Sequence, residues 1–310
     1  MSSAALTACP VCRRAADVCP LLEKDGYQIH RCSSCDHMFV YPVPGEEELS
    51  NIYTFAEGYH CGQPTLPQEV ALPERFLEAI ATIERYASPS RLLDVGCSTG
   101  TFLHLAGSRG WSVKGIEFSE DTSQVARAAG LDVVTGTIFS LNPARDKFDA
   151  LHLAEVIEHV ADPRAMLEQA RRLLNPGGVL YVTTPNSDAF WPKATYLIFR
   201  LIGVPWSHVT PPHHLHQFSA KSLRKLLDDT GFRCMEVSYA PSSLRYELGE
   251  THVRKSFVTA LKKRDATRAL ARGFQLSAAL VAYPALHLLD RLVPKTKDAQ
   301  MRCLAVAAGS

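Results

Sequence analysis

Four cysteines near the amino terminus are spaced for metal chemistry. Cys9 and Cys12, then Cys32 and Cys35, form two CxxC pairs with 19 residues between them. Two intervening residues let a tight knuckle aim both sulfurs at one ion, and two knuckles complete a tetrahedral S4 site. Structural zinc is the expectation; an iron site and a redox CxxC are the alternatives, although a redox pair ordinarily occurs once, between a strand and a helix. A second group, Glu155, Glu158 and His159, would share one face if a helical turn begins there. With a histidine from the segment His213-His214-Leu215-His216, these side chains could hold a divalent cation that lowers a hydroxyl's pKa. His159, His214 or His216 could instead act as a general base near neutral pH, or the group could only pack. Third, Gly96, Ser98 and Gly100 open a turn after an apolar strand, and Glu117 follows Gly96 at the interval that suits an acidic residue on ribose hydroxyls. A nicotinamide-type fingerprint would need a glycine near 101, where Thr101 stands.

The elements around these residues alternate. Apolar spacing over Arg75–Ile83 predicts a helix, Arg91–Val95 a buried strand, and Phe102, Leu103 and Leu105 the next helix. Trp111–Ile116 is the next strand, Ser119 an N-cap for a helix stopping at Gly130, and Asp132–Val134 and Phe148–Leu153 two further strands. Asp162-Pro163 starts a helix that Asn175-Pro176-Gly177-Gly178 turns into the strand Val179–Val182. Ser219 caps another helix; Phe232–Val237 and Cys303–Ala307 are the sixth and seventh strands. Repeated strand–helix units predict an α/β, Rossmann-like, doubly wound and mostly parallel seven-stranded sheet. Around the cysteines, Tyr27–Arg31 and Met38–Tyr41 read as short strands.

In this order, Leu93–Gly100, Gly115–Ser119, Glu155–Val160 and Leu174–Gly178 resemble the class I S-adenosylmethionine-dependent methyltransferases, over residues 75–240 plus the last strand. The resemblance implies that Asp94, Gly96, Cys97, Ser98 and Gly100 hold the methionine part of the cofactor, with Glu155 beside it. Glu117 would take the ribose hydroxyls; Phe118 would flank the adenine, and Gly136, Thr137 and Ile138 its other edge. Two departures stand out: Ser98 replaces the usual middle glycine, and Thr137 stands where many relatives carry an acid. Glu155, Glu158, His159 and one of His214 or His216, with Thr184-Pro185-Asn186, also resemble metal-assisted O-methyltransferases of the ubiquinone pathway and small-RNA 2′-hydroxyl methyltransferases. That likeness implies a second divalent cation at those residues. Similarity to zinc-module methyltransferases of saccharide and natural-product pathways implies a small-molecule acceptor: a sugar, a glycolipid precursor or a secondary metabolite.

The 310 residues accordingly divide into a zinc module (1–45), a connector (46–74), a methyltransferase core (75–240), a helical insertion or cap (241–300) and a last core strand (301–310). With 33 basic against 32 acidic side chains, no global field draws the chain to nucleic acid, which weakens an RNA 2′-hydroxyl methyltransferase reading. A catalytically inactive methyltransferase fold used for binding is the other rival. The first residues show no secretory signal, and nine cysteines do not form a disulfide framework, so a cytoplasmic protein is expected. A basic stretch from Arg254 leading into an apolar one, spanning 254–293, fits a pocket cap, a homodimer face or peripheral membrane contact.

Overall fold

Short apolar runs alternating with capped helices build the main sheet. A computed structural model of the chain describes residues 8–45, 48, 73–202, 206, 208–241 and 298–308, with isolated positions between 257 and 292. The connector aromatics Tyr53, Phe55, Tyr59 and His60 and the 254–293 stretch lie outside the described residues, apart from those isolated positions. No described helix is long and apolar enough to cross a membrane.

The elements in chain order are β1 (Val18–Lys24), β2 (Tyr27–Cys32), β3 (Met38–Val40), α1 (Glu74–Glu84), β4 (Arg91–Val95), α2 (Thr101–Ser108), β5 (Ser112–Glu117) and α3 (Glu120–Ala128). They continue with β6 (Val133–Thr135), β7 (Phe148–Ala154), α4 (Pro163–Leu173), β8 (Leu174–Pro185), α5 (Phe190–Ile202), β9 (His216–Gln217), α6 (Ala220–Asp229), β10 (Phe232–Ala240) and β11 (Gln300–Ala307). Seven strands form one mostly parallel sheet in the order β10-β11-β8-β7-β4-β5-β6. From β4 the chain winds outward through β5 and β6, then returns to the other side of β4 as β7. That reversal leaves a crevice beyond the carboxyl ends of β4 and β7, where ligands bind in such sheets.

Local chemistry explains the boundaries. The Asp162 carboxylate accepts from the backbone N–H groups of Arg164 and Ala165, both at 3.0 Å, and Pro163 takes the first position of α4. Ser219 accepts from Ser222 N–H at 3.1 Å to start α6. Ile80 and Ile83 of α1, Phe102 of α2 and Trp111 pack on Leu92, Ala150, Val179 and Tyr181, closing one sheet face as a core cluster. One boundary differs from expectation. β8 begins at Leu174, so the Asn175–Gly178 turn lies inside the strand as an irregularity, with the register slipping between Phe148 and Ala150 of β7. Gly177 absorbs the bend at φ +75°, and Asn175 Nδ2 donates to Asp149 Oδ1 at 2.8 Å.

The cysteine-bearing strands form a second sheet, β1-β2-β3-β9, whose last strand comes from the far end of the core sequence. Met38 pairs with Gln217 and Phe39 with His216. By contacts the chain divides into two units: Met1–Thr184 with Pro211–Val237 and Arg302–Ser310, and Pro185–Thr210 with Ser238–Met301. In the second, Trp206 Nε1 donates to the Pro192 carbonyl at 2.9 Å, and Asn186 Nδ2 to the Asp298 carbonyl at 2.9 Å.

Candidate active site

Three constellations in the first unit correspond to the chemistry expected from the sequence. In the first, the Sγ atoms of Cys9, Cys12, Cys32 and Cys35 lie within 4.8 Å of one another, with no disulfide among them. The two knuckles repeat one geometry. Arg13 N–H donates to the Cys9 carbonyl and Asp36 N–H to the Cys32 carbonyl, both at 2.9 Å, and both donors sit at φ +62°. Four converging thiols are the donor set of a closed structural zinc site. They fit that ion.

The second constellation lies at the carboxyl ends of β4 and β5. Gly96 and Cys97 N–H groups both donate to the Ile116 carbonyl, at 2.8 and 3.0 Å, folding the turn back on β5. Gly96 has φ +76°, and a Cβ added there would stand 2.5 Å from Val156 Cγ2. At Gly100, φ is +88° and an added Cβ would stand 2.2 Å from Leu131 Cδ1. Both positions require glycine. Ser98 adopts φ +51° between them, carrying a side chain where the usual glycine would be unstrained. Its N–H donates to Glu117 Oε2 at 2.8 Å, while Ser119 N–H donates to Oε1 at 2.9 Å. Glu117, 7% exposed, thus ties the turn to the start of α3.

Other expected cofactor residues face differently. Asp94 is buried and its Oδ1 lies 2.7 Å from His152 Nδ1 on β7; His152 in turn stacks on Phe102 at 3.7 Å between centroids. Asp94 therefore braces two central strands. Cys97 is buried beneath the turn, where burial and then the charges of Asp94 and Glu117 push its thiol up. Phe118 is 46% exposed, whereas Ile138 is fully buried in the core. Phe139, two residues beyond the exposed Thr137, carries an exposed ring. The short 3-10 turn at Ile138–Ser140 follows no helical or strand period, so the sequence gives no sign that Ile138 is buried and Phe139 exposed.

The third constellation follows β7. Residues 155–160 form a tight turn rather than a helix, and Glu155 enters it at φ +54°. Its N–H donates to the Thr183 carbonyl at 3.0 Å, and its Oε1 accepts from Thr183 Oγ1 at 2.8 Å. Glu158, His159 and His214 instead converge, with one ligand atom from each lying within 4.8 Å of the others. Glu158 is fully buried and neither carboxyl oxygen has a hydrogen-bond partner among the described residues. Burial, then the nearby charge of Glu155, raises its pKa well above the usual carboxylate range. His159 Nδ1 lies 2.6 Å from the His213 carbonyl, so Nδ1 carries the proton and Nε2 a lone pair, 3.8 Å from Glu158 Oε1. Burial lowers the His159 pKa to about 4, keeping the ring neutral. An orphaned buried carboxyl beside an oriented imidazole nitrogen fits a divalent cation.

His216 lies apart from this group. Its Nδ1 is 3.0 Å from His37 Nε2 and its Nε2 3.0 Å from the Val160 carbonyl, so both ring nitrogens are engaged in a buried site. The backbone around it nevertheless serves the cluster, because Leu215 and His216 N–H groups both donate to the Glu158 carbonyl, at 2.8 and 3.0 Å.

Comparisons with known proteins identify the family. Residues 71–237, just over half of the chain, match a family model described as a methyltransferase domain. The chain is similar to the ubiquinone biosynthesis O-methyltransferase of Dinoroseobacter shibae, 29% identical over 183 residues, covering 55% of this chain and 72% of that protein. The protein of the same name from Bordetella avium is 28% identical over 200 residues, covering 59% and 80%. Among solved structures, the Burkholderia thailandensis 1,6-didemethyltoxoflavin-N1-methyltransferase, with bound S-adenosylhomocysteine, superposes with a TM-score of 0.51 at 15% identity. It covers 93% of this chain and 99% of that one, a likeness of fold. With the doubly wound sheet, the Gly96 turn and Glu117 in place, the chain belongs to the methyltransferase-domain family and is a class I S-adenosylmethionine-dependent methyltransferase.

Proposed function

We propose that this methyltransferase acts on a hydroxyl group of a small-molecule acceptor, with Glu158, His159 and His214 as the acceptor-side cluster and zinc held by the four amino-terminal cysteines. The observation that carries the reading is the Glu158 carboxyl, fully buried beside the His159 Nε2 lone pair, with Thr184 nearby but neither oxygen within full hydrogen-bond geometry of a partner among the described residues. A buried carboxyl in that state costs stability, so its retention points to a ligand that completes it. The relatives named ubiquinone biosynthesis O-methyltransferase support oxygen as the methylated atom. A sugar, glycolipid precursor or secondary metabolite remains the acceptor class proposed from the sequence.

The chain's own residues divide the work. The Gly96–Gly100 turn is the backbone proposed to take the donor's methionine end, and the Glu117 carboxylate, held by Ser98 N–H, is the group proposed for its ribose hydroxyls. The bare Cα of Gly96 against Val156 lets the donor turn seat directly on the acceptor turn, as an in-line displacement demands. The His213 carbonyl holds the proton of His159 at Nδ1, leaving Nε2 toward Glu158. A divalent cation at the cluster supplies, when bound, a lowered hydroxyl pKa and a fixed hydroxyl orientation.

Calorimetry with S-adenosylmethionine, paired with transfer of labelled methyl to hydroxyl-bearing metabolites from fractionated extract, tests the proposal. Saturable donor binding with label in a small-molecule fraction is expected. Label confined to RNA, or donor binding with no transfer to any fraction, would refute it in favour of the nucleic-acid or the binding-protein reading.

A further inference from the structure

The four-cysteine module has so far only a structural role, yet its sheet runs into the reaction cluster. We propose that the module is the scaffold of the acceptor side, and that His37, two residues beyond Cys35, is the positioning residue that joins them. This rests on the reading of Glu158, His159 and His214 given above.

The segment His213–Gln217 lies between two partners. On one side β3 holds it: Val40 N–H donates to the Leu215 carbonyl at 2.9 Å, and Phe39 and Met38 pair with His216 and Gln217. On the other side it grips the acceptor turn. Leu215 and His216 N–H groups donate to the Glu158 carbonyl, the His213 carbonyl accepts from His159, and His216 Nε2 reaches the Val160 carbonyl. His214, a member of the cluster, lies within the segment itself.

His37 pins this strand to the knuckle. Its carbonyl accepts from Cys32 N–H at 2.9 Å, its Nε2 meets His216 Nδ1 at 3.0 Å, and its ring stacks on Phe39 at 5.8 Å and contacts Phe218 at 4.7 Å. It is fully buried. A second tie runs from the first knuckle, where the Val11 carbonyl accepts from Arg164 of α4, which also pairs with Asp229 of α6 at 3.0 Å. No such chain of bonds leads from the module to the donor turn among the described residues; Gly96 and Cys97 hang from Ile116 instead. Loss of the module's order therefore reaches the acceptor cluster through hydrogen bonds, and the donor turn only through packing of Gly96 on Val156.

The discriminating variant is His37→Phe, which keeps a ring between Phe39 and Phe218 and removes the Nε2 that meets His216 together with Nδ1, which has no hydrogen-bond partner among the described residues. In the full chain with zinc bound, amides of Leu215 and His216 should exchange with deuterium at least tenfold faster than in the native protein, while those of Gly96 and Cys97 stay unchanged. Affinity for Mn2+ alone, a hard ion that four thiolates select against, should fall at least tenfold, with S-adenosylmethionine affinity within twofold. His37→Gln, which restores a polar nitrogen near the Nε2 position, should recover most of both losses. Unchanged exchange at Leu215 and His216 overturns the proposal, as does an equal loss of donor affinity, which marks general damage. If the native protein binds no Mn2+, the cation reading fails, and the exchange comparison alone still decides the role of His37.

Discussion

Replacing Glu158 with glutamine should separate stability from function at the acceptor cluster. Its carboxyl has an ordinary pKa of 4.5 in the unfolded chain, and burial followed by the charge of Glu155 raises it well above that in the fold. In the window between those values the folded state holds a proton that the unfolded state has released, so this group's contribution to stability falls as pH rises. While the folded carboxyl stays protonated, its contribution falls by about 1.4 kcal/mol per pH unit above 4.5. Glutamine has a similar shape and two polar atoms but no such titration. Urea unfolding of native and E158Q protein, freed of divalent cations other than the cysteine-bound zinc, should show the native midpoint dropping between pH 6 and 8 relative to the variant. Mn2+ should stabilise the native protein at pH 8 and leave the variant unmoved, and the variant should lose methyl transfer. If the two proteins keep the same pH dependence, or E158Q is the less stable at pH 8 without Mn2+, the carboxylate is already satisfied and the reasoning fails.

Three further outcomes follow from other residues. Gly96→Ala places a Cβ 2.5 Å from Val156 Cγ2 at φ +76°, so it should cost about 1–2 kcal/mol of stability and weaken S-adenosylmethionine binding at least tenfold by calorimetry; native affinity would mean that the donor does not use this turn. Burial holds His216 at about 4 against 6.5 unfolded, so the unfolded chain binds the extra proton in that window and stability, full above pH 6.5, drains away as pH falls toward 4. In total that is about 3 kcal/mol; His216→Gln should flatten this acid limb in urea titrations, and an unchanged limb would contradict the burial. The Sγ atoms of Cys234 and Cys303 lie 3.2 Å apart, and the bond from Cys303 lowers the Cys234 thiol to about 7. Iodoacetamide at pH 8 should therefore modify Cys234 ahead of the buried Cys303, with a rate midpoint near 7 rather than 9.

The parts readable from sequence are those whose signal is local. Arg91–Val95, the Gly96–Gly100 turn and α2 are contiguous, so strand, turn and helix announce the donor site together. Cysteine spacing reveals the thiol cluster for the same reason. What stayed hidden depends on distant pairing or on single backbone angles. β9 has only two residues, too few for alternation to show, and its partner β3 lies more than 170 positions earlier. His37 is a lone histidine in sequence, and only that pairing gives it His216. The i, i+3, i+4 spacing of Glu155, Glu158 and His159 suggested one face, but φ +54° at Glu155 breaks the period at its first residue. Asp94 carries a cofactor motif in sequence, yet parallel pairing of β4 with β7 sets it against His152.

The most direct test of O-methylation uses S-adenosylmethionine carrying a carbon-13 methyl group, incubated with enzyme and fractionated extract and read by carbon NMR. A methoxy resonance in a small-molecule product, absent when E158Q replaces the native protein, is the predicted result. Label appearing on nitrogen or carbon, or a methoxy signal that E158Q produces equally well, would contradict it.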